Sequence, residues 1–577
     1  MKQQVLFFFF TLMLTGISVS AQTGGGRIAG VVIDNAGEEP LPGATIFIEE
    51  LKKGIVTDGH GEFLLSDVPA ATYTLTVRFI GYHTQTRKLT VGKERGKKII
   101  IRLKAEAKSL DEVVVMGKSE ARKLREQAMP ISVISMNQIQ GTVNNVQDIL
   151  AKTAGITVRA TGGTGSTSRI SVRGLEGKRI GLFIDGNPMN DNSDFIDIND
   201  IPVEMIDRIE IYKGVVPAKF GGSAVGGAVN IVIKEYPPKY LDVNYSYGSF
   251  NTHNASVVSK MNIAPKGIEF GLGGFYTYAD NDYKMKSPFQ EGLTITRDHD
   301  KFKKTVIGGS FKARKWWFDL VEFEPVFIHT YKDIQGIESN IRHAHSHSNA
   351  FIFANKMEKE NFLLDGLDLD WQLGYIYTDY HFADTASHRT HWDGTHYPAV
   401  SEFGGEIGKW ASLLTNEKHQ LQHKLNLNYL VNENHSVNFN SLLKYAHANP
   451  RDGMKDKVIG YRTDFPSNMF SWVAGLNYDY RTSNDKFLNS FNVKYYYYSM
   501  KTRMASVLVK TAEDIDTHKN DFGISNALRY RITPSLMAKA SFGYDVRLPS
   551  EEELLGDGYV IAPAGNLTPE RNRSDEH

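Results

Sequence analysis

At 577 residues the chain is long enough for several domains or for one large barrel with additions. Its 66 Lys+Arg balance 66 Asp+Glu, which speaks against nucleic-acid binding, where a basic excess is the rule. The absence of cysteine removes a disulfide framework, a Cys-ligated zinc site and a thiol nucleophile, and argues against a lipid-modified cysteine anchor.

Residues 1–21 read as a secretory signal peptide. Lys2 supplies the charge, Val5 to Val19 is largely apolar, and Val19-Ser20-Ala21 offers small residues for cleavage. A single membrane helix is the alternative, but the stretch is short for one. Beyond residue 21 no run reaches the ~18–20 apolar residues of a spanning helix. A membrane-embedded mature chain therefore has to be a closed barrel, because only helices and barrels satisfy every backbone polar group in lipid.

Residues 27–103 alternate short β-rich runs with Gly/Asp turns, among them Ala44-Thr45-Ile46-Phe47-Ile48 and Tyr73-Thr74-Leu75-Thr76-Val77. That spacing predicts a small β-sandwich. Residues 104–117 are a charged linker ending in the word Asp111, Glu112, Val113, Val114, Val115, Met116. Three valines in a row normally form a buried strand. Here they lie between polar stretches, where a β-competent segment can add to the sheet edge of another protein.

Residues 118–235 mix helix and strand patterns. Val146, Ile149 and Leu150 keep helical spacing. Ile170–Gly174, Ile180–Gly186, Ile206–Lys213 and Gly227–Ile231 read as strands with glycine-marked ends.

Residues 238–577 are two-faced over long stretches. In Leu367, Leu369, Trp371, Leu373, Tyr375 and Tyr377 every second residue is apolar or aromatic, and most residues between are polar or small. Similar runs occupy 421–430, 472–480, 524–532 and 536–548. Segments of about ten residues with one greasy and one wet face are the sequence mark of a transmembrane antiparallel β-barrel. Short turns are expected near 264–267, 432–435, 482–486 and 533–534, and long polar connections near 279–303, 332–348, 381–418, 449–469 and 501–519. Short inner turns and long outer loops alternate in such barrels. The pattern counts about thirteen strands, against the 22 of plugged transporters. The barrel is therefore expected to be partial, with further strands after 577.

Several of these words carry a resemblance. Pro40–Thr45, Thr57–Phe63 and Phe79–Tyr82 look like the carboxypeptidase-regulatory-like domain, which is non-catalytic. The 111–116 word resembles the TonB box of Bacteroidetes receptors. Arg173-Gly174, Asp185-Gly186, Ile206–Lys213 and Gly227–Ile231 match, in order and spacing, the plug of TonB-dependent receptors. Asn566-Leu567-Thr568-Pro569-Glu570 resembles a loop after which the family starts a further strand.

The resemblance implies a bacterial outer-membrane receptor that imports a scarce solute, with TonB engaging residues 111–116 and outer-membrane lipid around the barrel. A ferric siderophore or haem is the first expectation for the solute, and a SusC-like glycan or peptide importer the second. A surface lipoprotein partner is possible in this family. A surface adhesin barrel is the rival reading, and no acid, base and nucleophile set marks an enzyme. No cofactor is implied. Arg173, Arg208 and Glu210 are the expected plug latch, since plug arginines in this family pair with acidic barrel residues. His343, His345 and His347, at alternate positions, are candidate ligands for a metal or iron chelate, as are His388, His391 and His396. A solvated His-rich loop fits the same residues.

Overall fold

In the computed structural model the described residues are 26–576, except 36–38, 80–81, 93–97, 105–119, 136–145, 161, 167, 190–197, 199–200, 202, 223, 264–266, 315, 400–403, 409, 507–509, 535, 556–563 and 565. The signal segment 1–21 and the 111–116 word lie outside them. The chain divides into two compact units, Met1–Gly117 and Lys118–His577.

In the first unit, alternation sorts each strand into an inner and an outer face. One sheet places Gly26–Asp34 between Glu62–Val68 (antiparallel) and Ile99–Leu103 (parallel). The other runs Lys53–Val56, Thr45–Ile48, Thr72–Arg78, Gln85–Thr90. Val32, Ile46, Ile48, Phe63, Leu75 and Leu103 close one buried apolar core. The Thr57–Gly61 word is a turn. Asp58 Oδ1 accepts the N–H of His60 and of Glu62, each at 2.9 Å, while the Thr57 hydroxyl accepts from Ala44 N and donates to Leu41 O.

The second unit begins with two small sheets. Five strands run in the order Asn187–Pro188, Gly181–Ile184, Ala228–Ile233, Ile206–Tyr212, Ile131–Ser135, and three in the order Leu175–Glu176, Ser168–Val172, Ile156–Ala160. Helix Val146–Ala151 turns Val146, Ile149 and Leu150 into their shared core with Ile170, Ile209, Ile211, Val229 and Ile231. The two glycine-marked pairs are both two-residue hairpins. Val172 faces Leu175 across Arg173 (φ +51°) and Gly174 (φ +85°), and Ile184 faces Asn187 across Asp185 (φ +48°) and Gly186 (φ +75°). Two successive positive φ angles are what a type I′ turn requires, and glycine takes the second without strain.

From residue 239 on, fourteen antiparallel strands form one wall: Lys239–Gly248, Thr252–Ile263, Ile268–Ala279, Phe302–Ala313, Leu320–Asp333, His345–Lys359, Leu367–Asp384, Ser412–Asn432, His435–Asp452, Ser467–Arg481, Phe487–Ser506, Thr511–Thr533, Leu536–Arg547 and Glu570–Glu576. The last follows directly on the Asn566–Pro569 word and is one more than the pattern count. Among the described residues no pairing joins the first strand to the last. No helix among them is long and apolar enough to cross a membrane, which says nothing against strands that do.

The wall is inverted relative to a soluble sheet. Leu241, Val243, Tyr245 and Tyr247 are 62–70% exposed on the outer face, whereas Lys424, Glu322 and Asp545 are buried on the inner one. The connections after Ile263, Ala313, Lys359, Asn432, Arg481 and Thr533 share one end, and the three-residue connection 249–251 lies at the other. The connections 280–301, 334–344, 385–411, 453–466 and 548–569 share the opposite end.

The expected long loop at 501–519 is instead the tip of a strand pair. Phe487–Ser506 and Thr511–Thr533 stay in register out to Ser506↔Thr511. Cross-strand ion pairs, Lys501–Asp516 at 3.0 Å and Arg503–Asp514 at 2.7 Å, line this stretch. Polar strands that continue past the lipid lose the greasy alternation and read as loop.

Candidate functional site

The sheets of residues 131–233 sit against the inner face of the wall, and a cavity of about 1870 Å³ lies between them. Its lining is strongly charged: Asp185, Arg208 and Glu210 on the inner sheet, and Lys260, Glu269, Lys312, Glu322, Glu324, Lys356 and Lys424 on the wall. The wall charges pair along its inner surface, Lys260 with Glu269 at 2.8 Å and Lys312 with Glu322 at 2.5 Å. Opposite charges thus interleave on both sides of the gap.

Within the inner sheet, Glu210 is only 3% exposed and fully engaged. Its carboxylate accepts from Arg208 Nε at 2.8 Å, from the Tyr212 hydroxyl at 2.9 Å and from Asn230 Nδ2 at 2.9 Å. Arg208 also meets Asp207 at 2.9 Å. Burial, with Glu210 beside it, pushes the Tyr212 phenol far up. Arg208 and Glu210 therefore pair with each other on their own strand, with Asp207 of that strand as the second partner of Arg208. Arg173 is exposed in its hairpin turn, its N–H donating to Gly155 O at 2.9 Å.

The contacts that do cross to the wall involve residues the sequence did not single out. Lys424, 3% exposed, donates from Nζ to Gly186 O at 2.6 Å, so one wall lysine holds the Asp185-Gly186 hairpin. Asn426 Nδ2 donates to Lys219 O at 3.2 Å. Near the short turns, Arg529 (2% exposed) donates to Glu126 O at 2.8 Å and to Asp485 Oδ1 at 2.6 Å. Arg531 Nη2 reaches Glu126 Oε2 at 2.8 Å and Asp485 Oδ2 at 2.9 Å. Lys539 Nζ donates to Arg125 O at 2.7 Å. Residues 125–129 are thus clamped at the short-connection end. Burial would raise the Asp485 carboxyl, but Arg529, Arg531 and Arg481 hold it below the usual range. At Asp185 burial outweighs the Ile233 N–H and the charges of Lys356 and Lys312, and the carboxyl is raised. Lys424 and Asn426 stood on the polar face of the 421–430 repeat, which was the available signal for them. Glu126 gave none.

The histidines divide into two places. On strand His345–Lys359 the even positions Ala354, Lys356 and Glu358 line the cavity, while Phe351 and Phe353 are exposed on the other face. His345 and His347 share that outer face. His347 stacks on His381 of the next strand with ring centroids 4.5 Å apart, and His345 stacks on Tyr331 at 5.9 Å. His343 is exposed in connection 334–344 with Nδ1 3.3 Å from Glu406 Oε1. His388 and His396 meet at 4.3 Å across the hairpin of 388–398, and His391 stacks on Tyr397 at 4.1 Å. Among the described residues no three His, Asp or Glu side chains converge to hold a metal ion.

A charged, two-faced wall around an inner pair of sheets defines an outer-membrane β-barrel with an internal plug. Residues 28–115 match the CarboxypepD_reg-like domain and residues 123–228 the TonB-dependent Receptor Plug Domain. The chain thus carries the plug domain of the TonB-dependent receptors behind a CarboxypepD_reg-like domain, and TonB-dependent receptors are bacterial outer-membrane proteins. It is 28% identical over 249 residues to TonB-dependent receptor P39 of Formosa agariphila, covering 42% of this chain and 23% of that one. It is 24% identical over 265 residues to the vitamin B12 transporter BtuB of Vibrio vulnificus, covering 44% and 43%. The chain thus spans less than half the length of these curated relatives. The hemophore receptor HasR of Serratia marcescens, solved with its hemophore HasA and heme, shares the fold with a TM-score of 0.56 at 16% identity, over 78% of this chain and 69% of that one.

Proposed function

We propose that the protein imports a scarce solute across the outer membrane, with TonB supplying the force through residues 111–116. The observation that carries this reading is the clamp of Glu126 by Arg529 and Arg531 at the short-connection end. It lies about a dozen residues along the chain from Val114, so tension on the 111–116 segment falls on it first. Opening it takes the Glu126 carboxylate from Arg531 while Asp485 still holds both arginines, so the clamp can release under a pull without stranding either guanidinium. The charged cavity beyond it is the space into which the plug can move.

In this scheme residues 1–21 direct export, 27–103 form the accessory sandwich, 118–235 the plug and 238–577 the wall. Arg208 and Glu210 keep the plug sheet rigid while the clamp opens, and Arg173 joins this latch at its hairpin. His343, His388, His391 and His396, in the long connections, meet the solute. The solute is a ferric siderophore or haem, a reading supported by the plug's modest length and its Ile206–Lys213 segment. Val114→Pro blocks strand addition. It is expected to abolish uptake while surface binding persists. Unchanged uptake would favour a surface adhesin instead. Growth of a deletion strain on defined iron sources tests the solute; rescue by a glycan alone sinks the iron reading in favour of a SusC-like importer.

A further inference from the structure

Three consecutive acids after strand Leu536–Arg547 reach three different parts of the molecule. Helix Glu551–Leu555 is folded inward and pinned by Leu548 and Leu554, which are buried among Tyr496, Tyr498 and Met500. Glu551 Oε2 meets Lys418 Nζ at 2.6 Å and Gln420 Nε2 at 2.7 Å, on a strand five places away in the wall. Glu552 pairs with plug Lys178, whose Nζ also donates to Ser550 Oγ at 2.9 Å. Glu553 accepts from Arg547 Nη1 at 2.8 Å. Burial pushes Glu553 up, but Arg547 and the Ser550 N–H bring it below the usual carboxylate range. A fourth carboxylate, Glu570, holds plug Arg179 at 2.5 Å and Arg547 Nε at 2.9 Å. A pocket of about 70 Å³ beside Lys178, Arg547, Ser550 and Glu551 opens onto this cluster.

Three cations, one on the plug and two on the wall, are thus neutralised by the strap's own carboxylates, and plug Arg179 by Glu570. We propose that Lys178, Lys418 and Arg547 form an anion subsite that the 550–553 strap fills in the empty receptor, and that a polycarboxylate solute enters by replacing the strap's glutamates. The inference rests on the import reading and narrows its solute class. Exchanging carboxylate for carboxylate leaves every cation paired, so it avoids the penalty of stranding a buried charge. A neutral solute cannot make that exchange. The same swap releases Lys178 from Glu552 and so loosens the plug on the side facing the long connections, which ties occupancy to plug mobility.

The test uses the purified protein in detergent and citrate as the probe, read by calorimetry. The Glu551→Gln/Glu552→Gln/Glu553→Gln variant removes the competitor and is expected to bind citrate at least tenfold more tightly than the parent. Adding Lys178→Gln and Arg547→Gln is expected to erase that gain. Equal or weaker citrate binding by the triple variant, with its circular dichroism unchanged, overturns the proposal. A second arm titrates the triple variant with neutral glycerol, which is expected not to bind; glycerol binding as tight as that of citrate overturns the proposal as well. Neither arm needs TonB, so failure here and failure of the Val114→Pro uptake experiment are separate outcomes.

Discussion

The N-terminal sandwich and the barrel wall are built from the same alternation and use it in opposite senses. In the sandwich, strand Thr72–Arg78 turns Leu75, 0% exposed, into a closed apolar core. In the wall, strand Ile268–Ala279 turns Leu272, 61% exposed, outward and leaves the wet face inside. Period alone fixes which residues share a face; the solvent on each side decides what that face is for. A leucine therefore means packing in one unit and lipid contact in the other.

Substitutions can break that contrast. Leu75→Ala should cost ~2–5 kcal/mol, because a cavity opens in a core that cannot collapse. All six tryptophans lie at position 316 or beyond, so the loss should appear in circular dichroism while tryptophan fluorescence stays unmoved. Leu272→Arg should cost ~2–4 kcal/mol, measured as folding into lipid bilayers against denaturant. Leu272→Ala should cost only ~1 kcal/mol, since lipid fills the gap and no cavity term arises. A Leu272→Ala loss as large as that of Leu75→Ala would mean the outer face packs against protein.

The plug boundary sharpens the comparison through pH. The depressed Asp485 carboxyl contributes stability above its unfolded value of ~3.9, lost as pH falls through the folded value. Asp485→Asn should therefore lower the melting temperature at neutral pH and leave it unchanged in strong acid. The raised Asp185 runs the other way, its contribution being present below ~3.9 and lost as pH rises through the folded value. Asp185→Asn should raise the neutral-pH melting temperature. Smallest of all, Lys501→Ala removes an exposed cross-strand pair and should change stability by less than ~1 kcal/mol in the same melts.

Much of the fold was legible because its signals are local. Arg173-Gly174 and Asp185-Gly186 announced tight turns, and the apolar faces of 367–377 and 421–430 announced a wall. What stayed hidden depends on register and distance. Whether His345 and His347 face lumen or lipid is set by which neighbours share their row, and only strand pairing shows that they share the face of Phe351. The tip of the 487–533 hairpin has no greasy face, so its strands looked like loop. Glu126 and Arg529 lie 403 positions apart, and neither is unusual where it stands.

Lys424 grips the Gly186 carbonyl, a main-chain atom that every residue type carries. Mutational drift in neighbouring plug side chains leaves that handhold in place, provided the hairpin keeps its shape. The Arg531–Glu126 pair is written in two side chains, and one codon change erases it while the Arg529 contact to the Glu126 carbonyl stays. Plug and wall are therefore joined by one fastening that tolerates sequence divergence and by another whose strength single substitutions can retune without disturbing where the plug sits.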